Sequence, residues 1–367
     1  MARTLDDLAE LSGVSRATVS RVINGGPVSE ETRLKVLEVL QHHDYRPNLA
    51  ARSLASGRTG VIGVVMHVDP PLLFEDPYFA TLLHGLSDVL SEQAAGMMLW
   101  LGNRSKEETL NRILGMGLLD GVVVTADMLD DPLVDGLLVS ELPTILIGHR
   151  RTDLEASYVD VDNINSADTI TRHLIDIGRT RIGHITGRRG TVAAEDRLQG
   201  FHKAMRRGGL NTEGLIAEGD FNRPSGVTGA QQLLDAGVDA IFAANDATAS
   251  GALDEIRARR LNVPDDVALA GFDDLAFASE LDPPLTTIRQ GVRAQGSEAA
   301  RALFGLLEDA GAPRRILLPT ELVIRQSTAG GSLQQLTIGN AHPRGGPVVR
   351  DSPADANHGG EGGEGKR

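Results

Sequence analysis

The chain has 367 residues, 41% of them hydrophobic and 23% charged, so it is long enough for two or three folded units of ordinary composition. It has no cysteine, which excludes disulfides and cysteine-based zinc sites or nucleophiles. No apolar run reaches the ~18 residues of a membrane helix, and Met1 to Glu10 lacks the apolar stretch of a secretory signal, so a cytoplasmic location and no membrane partner are expected.

The net charge of −14 is unevenly placed: residues 1–60 carry +1 and residues 61–367 carry −15. An acidic bulk repels nucleic acid, so any contact with DNA has to come from the N-terminal segment. Within it, Ser12 to Gly26 holds Arg16 and Arg21 and no acid.

The first helix is signalled by Thr4-Leu5-Asp6-Asp7, a capping-box spacing, followed by Leu5, Leu8, Ala9 and Leu11 at helical intervals. Gly13 breaks it. Ser15 caps a second short helix, Arg16 to Ile23, which Asn24-Gly25-Gly26 ends. A third helix opens at Ser29, is expected to turn Leu34, Val36, Leu37 and Leu40 inward, and stops before Pro47. Residues 48–58 read as a linker that is helical only when docked.

From Gly60 onward, short β-branched runs alternate with amphipathic helical stretches. The strands are expected at Val61–Met66, Met97–Leu101, Val122–Thr125, Thr144–Ile147, Tyr158–Val161, Ile182–Thr186, Ala240–Ala243 and Val267–Gly271. Helices are expected at Phe79–Gln93, Ala167–Ile177, Arg197–Arg206 and Thr248–Arg259. This alternation predicts doubly wound parallel α/β sheets. The length suits two lobes with a cleft at the carboxyl ends of the strands. Residues 329–367 are glycine-rich and aperiodic, and a disordered tail is expected there.

Two helices joined by a tight turn form a DNA-reading unit. Ala9, Gly13 and Val19 supply the small contact, the turn and the apolar lock. Spacing alone leaves a plain three-helix bundle open. The second helix, however, offers Ser15, Arg16, Ala17, Thr18, Ser20 and Arg21, which are hydroxyls and forked cations with no carboxylate. Hydroxyls suit phosphate oxygens and arginine suits the guanine edge.

These residues carry a specific resemblance. Thr4-Leu5-Asp6-Asp7-Leu8-Ala9, Gly13-Val14-Ser15, Thr18-Val19-Ser20-Arg21-Val22-Ile23-Asn24, Val28-Ser29, Thr32-Arg33 and Tyr45-Arg46-Pro47-Asn48 through Ala51-Arg52-Ser53-Leu54 resemble the signature of the LacI/GalR family of repressors. The body is similar more loosely, at Asp76-Pro77-Tyr78-Phe79, Asp160, Gly183-His184-Ile185, Arg197, Asn245-Asp246 and Gly271-Phe272-Asp273-Asp274 among other points.

The resemblance implies an all-α helix-turn-helix head over 1–47, a hinge helix over 48–58, and a two-lobed effector-binding and dimerisation body over 59–328 like periplasmic binding proteins. It implies that Arg16, Ala17 and Arg21 meet base edges, and that Thr4, Ser15, Thr18, Ser20, Asn24, Ser29, Thr32, Tyr45 and Asn48 grip the backbone. Leu54, with the small Ala51 one turn before it, matches a leucine that wedges into the minor groove. Paired heads of a homodimer imply a palindromic operator. The tail lacks an a/d apolar repeat, so a dimer rather than a tetramer is expected.

For the sensor, family effector positions fall on Arg197, Asn245 and Asp273, with Tyr78, Phe79, Phe221 and Gln290 lining the cleft. A guanidinium fork, an amide and a carboxylate suit vicinal hydroxyls, which points to a sugar. The chain departs from the pattern at Gly148-His149-Arg150, where many sugar-responsive members have aspartate. His149 would make ligand affinity depend on pH, and a purine or other non-sugar effector stays open. No cofactor, metal or catalytic residue is expected: nucleophile elbow, metal-spaced histidines and dinucleotide fingerprint are all missing from the sequence.

Overall fold

The computed structural model describes residues 4–23, 26–43, 45, 58–66, 68, 70–101, 105–125, 128–149, 155–309, 311 and 313–329. The chain divides into two compact units, Met1–Gly60 and Val61–Arg367. The hinge residues Ala51 and Leu54, together with Asn24, Asn48 and the glycine-rich tail from 330 onward, lie outside the described residues.

Among the described residues the head holds three helices: α1 (Leu5–Ser12), α2 (Arg16–Ile23) and α3 (Glu30–His42). Thr4 and Asp7 close the capping box on α1 with bonds of 2.8 and 3.2 Å. Gly13 ends α1 at φ 64°, a left-handed conformation that favours glycine, and so sets the tight turn into α2. Leu8, Val19, Val22 and Val36 form a small buried core, with Ala9 and Tyr45 packed against it. One expectation is corrected here: Leu34 and Leu37 do not point inward but are 59% and 46% exposed. Helix α3 carries apolar residues on more than one face, and the row through Val36, Val39 and Leu40 is the one that meets α1 and α2.

Among the described residues the body contains two six-stranded sheets. Lobe one is built on β1 (Val61–Met66), β2 (Gly96–Leu101), β3 (Gly121–Thr125), β4 (Thr144–Ile147), β5 (Ser157–Val161) and β11 (Arg315–Leu318), all parallel, in the order β11-β5-β4-β3-β1-β2. Its helices are α4 (Pro70–Glu75), α5 (Pro77–Glu92), α6 (Lys106–Met116), α7 (Pro132–Leu138) and α12 (Val292–Glu308). Alternate strand residues face opposite sides. Ile62, Val64, Val123 and Ile145 pack under α5 and α12, whereas Val65, Val122, Val124 and Leu146 pack under α6 and α7.

Lobe two repeats the plan with β6 (Ile182–Ile185), β7 (Ile216–Ala217), β8 (Ala240–Ala243), β9 (Ala268–Asp273), β10 (Thr286–Arg289) and an antiparallel edge, β12 (Glu321–Val323), in the order β12-β10-β9-β8-β6-β7. Helices α8 (Asn163–Asp176) and α9 (Val192–Arg207) cover one face, α10 (Arg223–Asp235) and α11 (Asp246–Ala258) the other. The helices begin earlier than periodicity suggests because Asp76, Asp162, Thr191 and Asn245 cap them one turn upstream.

The chain passes between lobes three times: after β5, after β10, and between β11 and β12. These crossovers bring the carboxyl ends of both sheets to face each other, where parallel α/β sheets bind ligands.

Candidate functional site

Two sites follow from this scaffold, one in each unit. In the head, Ser15 Oγ accepts the Thr18 N–H at 3.1 Å and lies 2.9 Å from Thr18 Oγ1. Ser29 and Thr32 repeat the arrangement at the start of α3, with 3.3 and 2.8 Å. Each pair is a helix start carrying hydroxyls beside unsatisfied N–H groups, a ready acceptor of phosphate. Arg16, Ala17 and Arg21 are exposed on α2, and Ser20 is half-exposed. Arg16 Nη1 stands 3.6 Å from Asp6 Oδ2 on α1, both side chains being mostly exposed. Tyr45 packs on the core of the head rather than standing free.

In the body, a cavity of about 170 Å³ lies between the two sets of strand ends. Tyr78, Phe79, His149, Arg197, Phe221, Asn245, Asp273 and Gln290, the residues expected to meet an effector, all line it. Arg197 projects from α9 and is only 5% exposed. Its Nε donates to Asn163 Oδ1 at 2.9 Å, its Nη1 donates to the Ala244 carbonyl at 2.7 Å, and its Cζ lies 3.7 Å from the Phe272 ring centroid. Asp273 Oδ1 is 4.0 Å from the guanidinium. Asp273 also accepts a hydrogen bond from Gln290, which Gln295 in turn holds at 2.8 Å.

Burial dominates the electrostatics. It lifts the Asp273 carboxyl well above its usual range, against the pull of Arg197. It works against the Arg197 charge, opposed by Asp273, and it pushes the Tyr78 phenol upward with help from the same carboxylate. Asp76 is raised by burial too, with the Tyr78 N–H on its Oδ1 at 2.9 Å acting the other way. Behind the cleft, Asp246 is pushed up to about 7 by burial even though it accepts from Thr287 Oγ1 and Leu275 N.

The backbone of the site is strained where it matters. Asp273 sits at φ 118° and Phe221 at φ 58°, regions that non-glycine residues seldom occupy. Phe221 is held there by Asn245, whose Nδ2 donates to its carbonyl at 2.9 Å. Asn245 Oδ1 meanwhile caps α11 through Thr248 N, so both ends of the amide are bonded inside the lobe. Asn245 thus lines the cavity and braces the Phe221 backbone. Gly187 makes room for the Phe221 ring, because a Cβ there would fall 2.0 Å from it.

Sequence reasoning passed over several lining residues. Thr125 ends β3 and Asp160 stands one residue before the end of β5, both with the strand-end signal that marked Asp273. Thr125 Oγ1 is buried with no partner among the described residues, an open hydrogen-bonding position on the cleft wall. Asn163 and Gln295 stand at two crossovers, and only the topology reveals them. The cleft thus offers a fixed guanidinium, several carboxylates, a spare hydroxyl and two or three rings, a lining suited to a polyhydroxylated ring. Among the described residues no cluster of histidine and acid could hold a metal ion, and no helix is long and apolar enough to cross a membrane.

Known proteins match both units. Residues 4–48 match the family described as bacterial regulatory proteins, lacI family, and residues 171–328 match the periplasmic binding protein-like domain. The HTH-type transcriptional regulator CelR of Thermobifida fusca is 37% identical over 332 residues, covering 88% of this chain and 98% of that protein. A solved complex of the regulator CelR with cellobiose is 36% identical with a TM-score of 0.70, covering 89% of this chain and 99% of that one. The Lac repressor dimer bound to operator and the anti-inducer ONPF is 27% identical with a TM-score of 0.78, again over 89% and 99%.

Proposed function

The chain belongs to the lacI family of bacterial regulatory proteins, and we propose that it represses genes of carbohydrate metabolism, binding a palindromic operator as a homodimer and answering to a sugar in its cleft. It is a DNA-binding transcriptional regulator of the helix-turn-helix type, not an enzyme. The observation that carries the finer reading is the Arg197–Asp273 pair. A guanidinium already stacked on Phe272 and a carboxylate 4.0 Å away present a donor and an acceptor to neighbouring hydroxyls. The relative solved with cellobiose makes a glucoside the first ligand to test. The lining favours neutral hydroxyl donors over a purine: Asp76, Asp160, Asp220 and Asp273 all border the cavity, and most of its donors are already bonded.

On DNA, Arg16 and Arg21 read base edges, the Ser15–Thr18 and Ser29–Thr32 starts hold phosphates, and Leu54 wedges a central step. The near-neutral head gives modest non-specific attraction, so affinity leans on two heads per dimer. Dimerisation is supported by the apolar edge strand β2, where Leu99 is 38% exposed beside Met97, Met98 and Trp100.

The deciding experiment is a thermal-shift screen of the full chain with cellobiose, other neutral sugars and purine bases, followed by operator release. A neutral sugar is expected to raise the melting temperature and change operator affinity. A shift with a purine base and with no sugar would overturn the reading.

A further inference from the structure

His149 stands between the lobes. It follows β4 of lobe one, where its backbone N–H and its Nδ1 both meet Asp160 Oδ2, at 3.0 and 2.6 Å. Its other ring nitrogen, Nε2, faces Asp196 Oδ2 at 3.5 Å, and Asp196 belongs to α9 of lobe two. Both carboxylates are buried. A neutral imidazole has one N–H and turns a lone pair towards the second carboxylate, whereas imidazolium donates on both sides. With both carboxylates ionised, the protonated ring is the form this geometry favours. A second tie crosses the same gap: Leu129 N donates to the Gly190 carbonyl at 2.8 Å, and Met128 pairs with Thr191 in an antiparallel bridge. That tie is backbone to backbone and does not titrate.

We propose that His149 is a positioning residue of the effector cleft, which as imidazolium clamps Asp160 to Asp196 and holds the lobes closed, and which releases the lobe-two end when it loses its proton. The proposal rests on the reading of the cleft as the effector site, and it makes closure a proton-consuming step. The surroundings are consistent with that sign. Tyr158 of β5 lies against the ring at 6.0 Å between centroids. Asp76 at the cap of α5, Tyr78 of α5, Arg197 of α9 and Asp273 of β9 border the same cavity, while Arg188 and Asp220 pair with each other at 2.7 Å. Asp246 also titrates close to neutrality, but it is bonded wholly within lobe two and spans no gap.

The chain has no cysteine, so Glu107→Cys on α6 and Thr228→Cys on α10, both exposed, give one spin label per lobe. Electron–electron distance distributions of the unliganded full chain are then compared at about pH 6 and about pH 8, the range in which a histidine changes charge. The ratio of closed to open lobes is expected to fall with rising pH, by up to about tenfold per unit for a single linked proton. His149→Gln and Asp196→Asn should each abolish that response and hold the lobes, at both pH values, as open as those of the parent at about pH 8. Identical distributions of the parent at the two pH values, or a parent-like response in both variants, overturns the proposal. Titration with cellobiose in two buffers of different ionisation enthalpy adds the ligand arm: proton uptake on binding is expected in the parent and not in His149→Gln. Should cellobiose fail to bind, the effector reading suffers while the distance measurement still decides the clamp.

Discussion

The head and the cleft use arginine in opposite ways. In the head, Arg16 and Arg21 are exposed and keep their water, with the Asp6 carboxylate 3.6 Å from Arg16. In the cleft, Arg197 is stripped of water, lies flat on Phe272 and is bonded to Asn163 and Ala244. An exposed guanidinium keeps its rotamer freedom until a partner with fixed charge arrives, so the free energy of reading DNA is gained on docking. A buried guanidinium has lost that freedom during folding, so the ligand meets a finished fork. The same side chain is a searching group in one unit and a template in the other.

The comparison can be broken most severely at its supports. Leu8→Ala removes one of four fully buried residues from the small core of the head and should cost about 2–5 kcal/mol. Calorimetry is expected to show the head unfolded, operator binding lost in fluorescence anisotropy, and the sugar-induced shift of the body retained. Arg197→Ala leaves the Asp273 carboxyl buried without its cation, which should lower body stability by about 3–5 kcal/mol in urea titrations and abolish the sugar response. If that variant bound cellobiose normally, the template view of the cleft would be wrong.

Smaller changes sharpen the contrast. Arg16→Ala should weaken operator binding by about 1–3 kcal/mol while leaving both melting transitions within about 0.5 kcal/mol of the parent. Asp246 supplies a pH test. Its carboxyl is raised to about 7 in the folded body, so between its ordinary value and that one the folded state holds a proton the unfolded chain has lost. This group therefore stabilises the body most at low pH, and its contribution falls as pH rises towards 7. Asp246→Asn should flatten that component of the melting temperature between about pH 5 and 8. The smallest effect is expected from Asp6→Asn, which frees Arg16 from an exposed pair worth about 0–1 kcal/mol and should tighten DNA binding slightly, with a steeper salt dependence.

Much of this was legible in the sequence because it is written in local signals. The span of α2, Arg16–Ile23, follows from a serine cap before it and glycines after it. The central strands are continuous apolar runs because both faces of each sheet are covered. The cleft residues Asp273 and Asn245 announce themselves at strand ends. What was hidden depends on distant partners. Leu34 and Leu37 share α3 with other apolar residues, and only packing chooses the inward face. Strand β11 pairs with β5 across more than 150 positions, so neither its sheet nor the crossover that places Gln295 could be read locally. Asn245 lines the cleft and also caps a helix and braces Phe221, and those added duties depend on partners that only the packed structure shows.

The interleaving of the lobes has a consequence for the life of the chain. Each sheet closes with a strand from the far end of the sequence, β11 for lobe one and β12 for lobe two. During synthesis the head can fold as soon as it leaves the ribosome, since its core closes by Tyr45. Neither lobe can complete its sheet until residues 315–323 have emerged. For most of translation the nascent chain therefore carries a finished DNA-reading head ahead of an unfinished sensor, and the capacity to respond is the last property it acquires.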